Sequence, residues 1–151
     1  MNRELSLERH VAAPRALLYR AWTEPELLKQ WFTPRPWTTP VVELDVRAGG
    51  ANYILMRGPA GEEFPNRGVY LEVVPNERLV FTDAYVSAQW EPSDKPFMTG
   101  IITFADEGRG TRYRARVLHW TEADRETHET MGFHTGWGQA IDQLEALVLR
   151  L

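Results

Sequence analysis

The sequence predicts an α+β fold in which a curved antiparallel sheet of about six to seven strands surrounds a long C-terminal helix. Strand-like alternation of apolar and polar residues, interrupted by short turns, fills most of the stretch from residue 42 to residue 120. The last third of the 151 residues instead repeats its large apolar side chains with the helical period. Because no β-α-β unit recurs along the chain, a parallel sheet is not expected.

The chain begins with a predicted strand followed by two short helices. Residues 4–11 alternate in the manner of a half-buried strand, although one charge, Arg9, falls on the apolar side. Pro14 suits the first position of a helix, and the apolar residues after it keep helical spacing. Thr23 is predicted to cap a second helix that ends before Pro34.

Strand-like runs joined by compact turns make up the middle of the chain. Val42, Leu44 and Val46 alternate with charged residues before the turn at Gly49 and Gly50, which indicates a hairpin. Short turns between successive runs favour an antiparallel meander. The runs cover residues 42–47, 51–57, 63–74, 78–85, 97–105 and 109–120.

A long amphipathic helix is predicted at the C-terminus. Thr121 resembles its cap, and an unbroken helix over residues 122–150 would extend about 44 Å, enough to cross a small sheet. Gly132, Gly136 and Gly138 fall inside it, each at a cost of about 1 kcal/mol relative to alanine. Three explanations are open: close packing of the helix on the sheet, a local kink in the helix, or room left for a ligand above the sheet.

Composition and motifs exclude several classes of function. Hydrophobic residues make up 43% of the chain and charged residues 25%, as expected for a single domain over residues 1–151. The net charge of -4 argues against nucleic-acid binding by bulk electrostatics. Cysteine is absent, and the sequence contains no serine nucleophile elbow, phosphate-binding loop or zinc-type histidine pair. We therefore expect no cofactor, no metal and no catalytic residue of these kinds.

Aromatic residues are numerous, with six Trp, five Tyr and six Phe. A packed core accounts for any single one of them. Polar side chains among them are harder to accommodate, because a closed core demands a partner for every buried polar atom. A partly hydrated pocket would satisfy the polar residues that the sequence places on otherwise apolar faces, namely Arg9, Tyr53, Tyr85, Tyr113, His119 and His134.

A set of segments along the chain resembles a known family. The segments are RHVAAPR at 9–15, AWT at 21–23, LxxWF at 28–32, ELDVRAGG at 43–50, GVYLEVVPNERL at 68–79 and MGFHxGWxxxIDxL at 131–144. Their order and spacing are similar to those of bacterial proteins related to the C-terminal domain of the activator of the heat-shock-protein-90 ATPase, in the START-like (SRPBCC) superfamily. The resemblance spans essentially the whole chain and implies the helix-grip fold.

The superfamily implies several functions, because its members include lipid carriers, aromatic-polyketide cyclases, antibiotic-sequestering proteins and the chaperone activator itself. Our leading hypothesis is a non-catalytic module that binds a small hydrophobic molecule, lipid-like or aromatic, in a cavity between sheet and helix. The predicted ligand-binding residues follow from alternation, so a shift of one residue would invert a strand's face. They are Trp31 and Trp37 at the opening, Tyr53, Tyr70, Phe81, Tyr85 and Tyr113 on the sheet, and Met131, His134 and Trp137 on the helix.

Two other hypotheses stay open. In the first, the same cavity belongs to an enzyme of cyclase, dehydratase or hydrolase type, with His134 or Arg9 moving protons or polarising a carbonyl. In the second, the domain binds a partner protein through an exposed apolar patch. A chaperone partner is not expected, because the activator's chaperone-binding domain has no counterpart in this sequence.

The sequence also bears on location. No run reaches the ~20 apolar residues needed to cross a bilayer, so no membrane span is expected. Residues 1–11 are charged and lack the apolar stretch of a signal peptide. We therefore expect a cytoplasmic protein, and the sequence leaves both a monomer and a homodimer open.

Overall fold

A computed structural model describes residues 2–151 of the chain. The strands are β1 (Glu4–Val11), β2 (Thr38–Leu44), β3 (Ala51–Arg57), β4 (Glu63–Val74), β5 (Arg78–Thr82), β6 (Met98–Glu107) and β7 (Gly110–His119). The helices are α1 (Arg15–Thr23), α2 (Pro25–Leu28), α3 (Glu122–Thr130) and α4 (Phe133–Val148). All strand pairs are antiparallel, in the order β1-β7-β6-β5-β4-β3-β2. The predicted α+β fold, a curved antiparallel sheet with a C-terminal helix, is confirmed.

The C-terminal helix is broken, whereas the sequence predicted one continuous helix. Between α3 and α4, Gly132 has a φ of 101°, a left-handed conformation that glycine adopts without the steric cost of a Cβ. Thr121 caps α3, and its hydroxyl accepts a hydrogen bond from the Asp124 amide at 3.0 Å. Every residue of α3 is at least partly exposed. In contrast, α4 buries Phe133, Ala140, Ile141, Leu144, Leu147 and Val148.

The start of the second helix also differs from the prediction. α2 is a single turn, and Glu24 rather than Thr23 stands at its N-cap position. Thr23 belongs to α1, where its hydroxyl donates to the carbonyl oxygen of Tyr19 at 2.7 Å. A hydroxyl that bonds back to the preceding turn of its own helix is not free to cap the next one.

The core lies between the concave face of the sheet and helices α1, α2 and α4. Strand β7 shows how the sequence separates the two faces. Tyr113, Ala115 and Val117 are buried, while the intervening arginines lie on the opposite face, where Arg116 pairs with Glu4 of β1 at 2.6 Å. This alternation directs apolar side chains towards the helices along the whole strand.

The Pro-rich loop between α2 and β2 is fixed to α4 by the side-chain amide of Gln143. Its Nε2 donates to the carbonyl oxygens of Trp31 at 2.9 Å and Thr33 at 3.0 Å. Its Oε1 accepts from the backbone amide of Arg35 at 3.0 Å. One turn earlier, Gln139 donates to the Arg35 carbonyl oxygen at 3.1 Å. The loop therefore takes its position from the helix.

The contacts of Gln143 lead to a prediction about stability. Replacing it in the variant Gln143→Met keeps a side chain of similar length but removes three hydrogen bonds. We expect the free energy of unfolding to fall by about 1 to 3 kcal/mol, because two backbone carbonyls and one amide lose their partner. Urea unfolding monitored by tryptophan fluorescence measures the change. The matched control Gln139→Met removes a single exposed bond, and equal losses in the two variants would contradict the special role of Gln143.

Candidate functional site

A cavity of about 480 Å³ lies between the concave face of the sheet and helix α4. Its sheet side is formed by residues of β3 to β7, and its other side by residues of α1, α2 and the α3–α4 region. Most of the lining is apolar. Small-molecule sites in proteins are typically clefts of several hundred Å³ with such a lining and a few polar groups.

Glycines on the helix side leave room for this cavity. Gly132 and Gly136 both line it, and a Cβ added to either one would meet no atom within 4 Å among the described residues. Close packing of helix on sheet, one of the explanations open from the sequence, therefore does not account for these glycines. The local kink accounts for Gly132, whose φ of 101° breaks the helix, whereas Gly136 lies inside α4 and leaves open space. Gly138 also has open space around it, but it lies outside the cavity lining.

The buried end of the cavity is built around Tyr113 and Trp22. The indole Nε1 of Trp22 donates to the Tyr113 hydroxyl at 3.1 Å. Burial raises the pKa of Tyr113 despite this bond, so the hydroxyl keeps its proton. No other group among residues 2–151 forms a hydrogen bond with this hydroxyl. Tyr113 is fully buried, so its hydroxyl is a polar group with an unshared proton at an otherwise apolar end of the cavity.

The ring of Phe81 reaches the cavity because the neighbouring strand carries a glycine. Phe81 on β5 lies opposite Gly100 on β6. A Cβ on Gly100 would come within 2.5 Å of the Phe81 ring, closer than van der Waals contact permits. The glycine thus lets the ring lie over β6 and places it 5.9 Å from the Trp22 ring.

The carboxylate of Asp83 lies at the other end of the cavity, beyond β5. Its oxygens accept hydrogen bonds from the backbone amides of Phe97 at 2.9 Å and Met98 at 3.1 Å. Burial raises the pKa of Asp83, and these amide bonds oppose the shift. The carboxylate therefore fixes the start of β6 and adds an acceptor to the lining.

Two histidines form a hydrogen-bonded pair at this same end. Met98 pairs across the sheet with His119, whose Nε2 lies 2.9 Å from Nδ1 of His128 on α3. The other ring nitrogen of His119, Nδ1, lies 2.9 Å from the carbonyl oxygen of Arg3. The ring of Phe97 packs against both imidazoles, with centroids 5.5 Å and 5.1 Å away. His128 lines the cavity, and burial, with a smaller effect of His119, lowers its pKa to about 4.

Large apolar side chains surround the opening of the cavity. Met131 at the α3–α4 junction is 74% exposed and Phe64 on β4 is 54% exposed. Both also contribute to the lining, and the ring of Trp37 packs against Phe64 at 5.6 Å between centroids. The opening therefore lies between the start of β4 and the helix break.

The structure brings several of the predicted ligand-binding residues together around the cavity. Trp31 is buried deep in the lining rather than at the opening, where the sequence placed it. Met131 is exposed at the opening. The predicted residues that line the cavity are Trp31, Tyr70, Phe81, Tyr113, Met131 and Trp137.

Other predicted residues lie elsewhere. Tyr53 faces the opposite side of the sheet from Asn52 and Ile54, and the Arg67 guanidinium lies 4.1 Å from the centre of its ring. Tyr85 follows the end of β5, where its ring packs on Trp90 at 5.3 Å. Trp37 lies outside the lining and packs against Phe64, and His134 is an exposed side chain near Glu129.

The residues named for the enzymatic hypothesis also lie away from the cavity lining. His134 Nε2 is 3.8 Å from a carboxylate oxygen of Glu129. Arg9 forms an ion pair with Asp142 on α4. His128 and Asp83 were not predicted as site residues, since neither lies in a recognisable motif of the sequence. One signal was present: His119 was singled out as a polar residue on an apolar strand face, and its partner is His128.

The sequence profile described as "Activator of Hsp90 ATPase homolog 1-like protein" matches residues 12–148. The chain belongs to this family. The match covers both walls of the cavity, from α1 to the end of α4. The resemblance inferred from the sequence motifs is thereby confirmed.

Solved structures of bacterial proteins resemble this family member closely. Protein NE0264 of Nitrosomonas europaea is 44% identical, with a TM-score of 0.93 over 97% of this chain and 94% of its own. Protein CV1439 of Chromobacterium violaceum is 31% identical, with a TM-score of 0.79 and 98% of each chain covered. Protein Ms6760 of Mycobacterium smegmatis is 26% identical, with a TM-score of 0.82 over 96% and 90% of the two chains. No curated protein matches the chain at a significant level.

Within the described part of the chain, no helix is both long and apolar enough to cross a membrane. Likewise, residues 2–151 contain no group of three or more His, Asp or Glu side chains arranged to hold a metal ion.

The low pKa of His128 predicts a pH dependence of stability. Free histidine titrates near 6.5, so the unfolded chain binds a proton in a range where folded His128, with a pKa of about 4, does not. The free energy of unfolding should therefore decrease as the pH falls from about 6.5 to 4. In the variant His128→Phe, the free energy of unfolding should decrease less over this pH range, because the titrating imidazole is gone.

Urea unfolding at a series of pH values measures this effect. The control His134→Phe removes an exposed histidine from the adjacent helix and should keep the wild-type slope. Asp83, whose pKa is raised, acts with the opposite sign, because its protonation at low pH favours the folded state. Asp83 is present in the wild type, in His128→Phe and in His134→Phe. A difference in the pH slope of the free energy of unfolding between wild type and His128→Phe therefore reports on His128. Identical slopes in wild type and His128→Phe would show that His128 is not held neutral.

Proposed function

We propose that this protein binds a small, largely apolar molecule, lipid-like or aromatic, in the cavity between the sheet and α4, without catalysing a reaction. The observation that carries the proposal is the cavity itself, whose helix side is lined by glycines. Gly132 and Gly136 line it, and the space that their missing side chains leave is open. A helix that served only to close the core would gain about 1 kcal/mol from alanine at Gly136.

The size of the cavity supports a ligand larger than a single ring. A cavity of about 150 Å³ can hold benzene, and the volume here is about 480 Å³. The cavity opens to solvent between Phe64 and Met131, so water can enter it, and an apolar ligand would replace that water with direct contacts to the lining. A ligand of two or three rings, or a medium-length chain, suits a space of this size.

Polar groups in the lining would orient such a ligand. Tyr113 offers a donor at the buried end, and Asp83 an acceptor at the other. A few such groups in an apolar site are typical of specific small-molecule binding. The predicted contacts from Trp31, Tyr70, Phe81, Met131 and Trp137 then supply apolar area.

The structure favours ligand binding over the two other hypotheses, an enzyme and a protein-interaction domain. The enzymatic hypothesis assigned proton transfer to His134 or Arg9, and both side chains lie outside the lining. A contiguous exposed apolar patch with no internal pocket would favour the protein-interaction hypothesis, and this molecule has a pocket of about 480 Å³. We make no proposal of chaperone activation on the strength of the family's name. A cytoplasmic location and the single domain stay predictions, and the choice between monomer and homodimer stays open.

The proposal predicts ligand binding that a single side chain can block. Native mass spectrometry of the gently purified protein should show a copurified small molecule, or a thermal-shift screen of lipids, fatty acids and polycyclic aromatics should find a stabiliser. A ligand at a hundred times its Kd contributes about 2.7 kcal/mol, which raises the Tm by roughly 5 to 10 °C in a domain of this size. In Gly136→Leu the new side chain occupies the cavity, so we expect at least a tenfold loss of affinity.

The control for this experiment is Gly138→Leu, on the same helix but outside the lining. Both variants replace a helical glycine with a better helix former, so both should fold at least as stably as the wild type. Binding that survives Gly136→Leu unchanged would place the ligand outside this cavity. A broad screen that finds neither a copurified mass nor a stabiliser would contradict the proposal and favour a protein-interaction domain.

A further inference from the structure

The histidine pair at the Asp83 end of the cavity defines which polar group a ligand can present there. The chain of contacts runs from the Arg3 carbonyl oxygen to His119 Nδ1 at 2.9 Å, and from His119 Nε2 to His128 Nδ1 at 2.9 Å. His128 is the member of this chain that lines the cavity. Its remaining ring nitrogen, Nε2, has no protein partner among residues 2–151.

The first acceptor in this chain fixes the protons on both rings. A carbonyl oxygen only accepts, so His119 Nδ1 must carry the proton that bonds to Arg3. When His119 is neutral its Nε2 is then an acceptor, and the Nδ1 of His128 must carry the proton shared between the rings. Neutral His128 is left with an unprotonated Nε2. This nitrogen is therefore an acceptor, held in orientation by a bond on the opposite side of its ring.

The surroundings keep His128 in that form. Phe97 and Phe133 pack against its ring at centroid distances of 5.1 Å and 5.2 Å, which limits its contact with water. Burial and the neighbouring His119 lower its pKa to about 4, so the ring is neutral near pH 7. Two other polar residues line this end. The hydroxyl of Thr82 is already within 3.0 Å of the Thr99 hydroxyl, and the Asp83 carboxylate also only accepts when it is ionised.

We propose that the ligand of this cavity is an alcohol or a phenol, an apolar body with one hydroxyl group, and that the hydroxyl donates a hydrogen bond to Nε2 of His128. The inference rests on the proposed function. A hydroxyl group satisfies the acceptor nitrogen, whereas a hydrocarbon of the same shape leaves it unpaired. A carboxylate brings a negative charge and lone pairs towards an acceptor nitrogen and the Asp83 carboxylate, so fatty acids should bind more weakly than alcohols of the same length.

A pair of probes of nearly equal shape tests the hydroxyl bond. 2-Naphthol and 2-methylnaphthalene differ by a hydroxyl in place of a methyl group, and each is titrated calorimetrically at pH 8, where ordinary histidines are neutral. The quantity compared is the Kd of 2-methylnaphthalene divided by that of 2-naphthol. In His128→Phe, which keeps a ring between Phe97 and Phe133, we expect this ratio to fall roughly three- to tenfold. The control His134→Phe should keep the wild-type ratio.

The outcomes separate this inference from the proposed function. Binding of both probes with the same ratio in all three proteins would overturn the role of His128 and leave the hydrophobic site standing. Binding of neither probe to the wild type would count against the proposed site itself. A second measurement needs no variant: the ¹⁵N resonance of His128 Nε2 in the wild type should shift when 2-naphthol is added and stay in place with 2-methylnaphthalene. Equal responses to the two probes would overturn the inference even if His128→Phe failed to fold.

Discussion

The packing of α4 across the concave face of the sheet is the constraint on which the rest of the structure depends. The C-terminal half of the helix meets it with large apolar side chains, and Ile141, Leu144, Leu147 and Val148 are all buried. The first turn of the helix also buries Phe133, but Gly132 just before the helix and Gly136 one turn into it leave the space beneath them unfilled. One element thus closes the core at one end and leaves a cavity at the other. The same helix also holds the Pro-rich loop in place through Gln143. Helix α4 therefore determines the position of the loop beside the cavity.

Local sequence patterns predicted most of the fold correctly. Period-two alternation followed by Gly, Pro and Asn turns predicts strands in antiparallel order, because both the faces of a strand and the geometry of a hairpin are set within a few residues. The errors arose where a local pattern fits two structures. Thr23 has a capping-type sequence around it, yet its hydroxyl bonds back into α1. The large apolar residues with helical period begin only at Phe133, so nothing in the spacing shows whether residues 122–130 continue the same helix, and the break follows from the φ angle of Gly132.

The site was less predictable, for a related reason. Alternation placed Tyr70, Phe81 and Tyr113 on the cavity side but assigned Tyr53 to the wrong face of β3, because the apolar residues of that strand run on without a clear period. Tyr85 lies after the end of β5, where alternation has no meaning. His128 depends on a tertiary contact between α3 and the last residue of β7, and no spacing along the chain indicates such a pair.

The break at Gly132 separates the exposed helix α3, which contributes to the cavity, from helix α4, which packs in the core. Every residue of α3 is at least partly exposed, so its sequence is almost free of the packing requirements of the core. Yet α3 carries His128 and leads into Met131 at the opening. If the cavity binds a ligand as we propose, substitutions in this short helix would change what enters the cavity and how it is recognised, at little cost to the packing of the core. Selection would then act on ligand preference in α3 separately from the packing of α4 on the sheet.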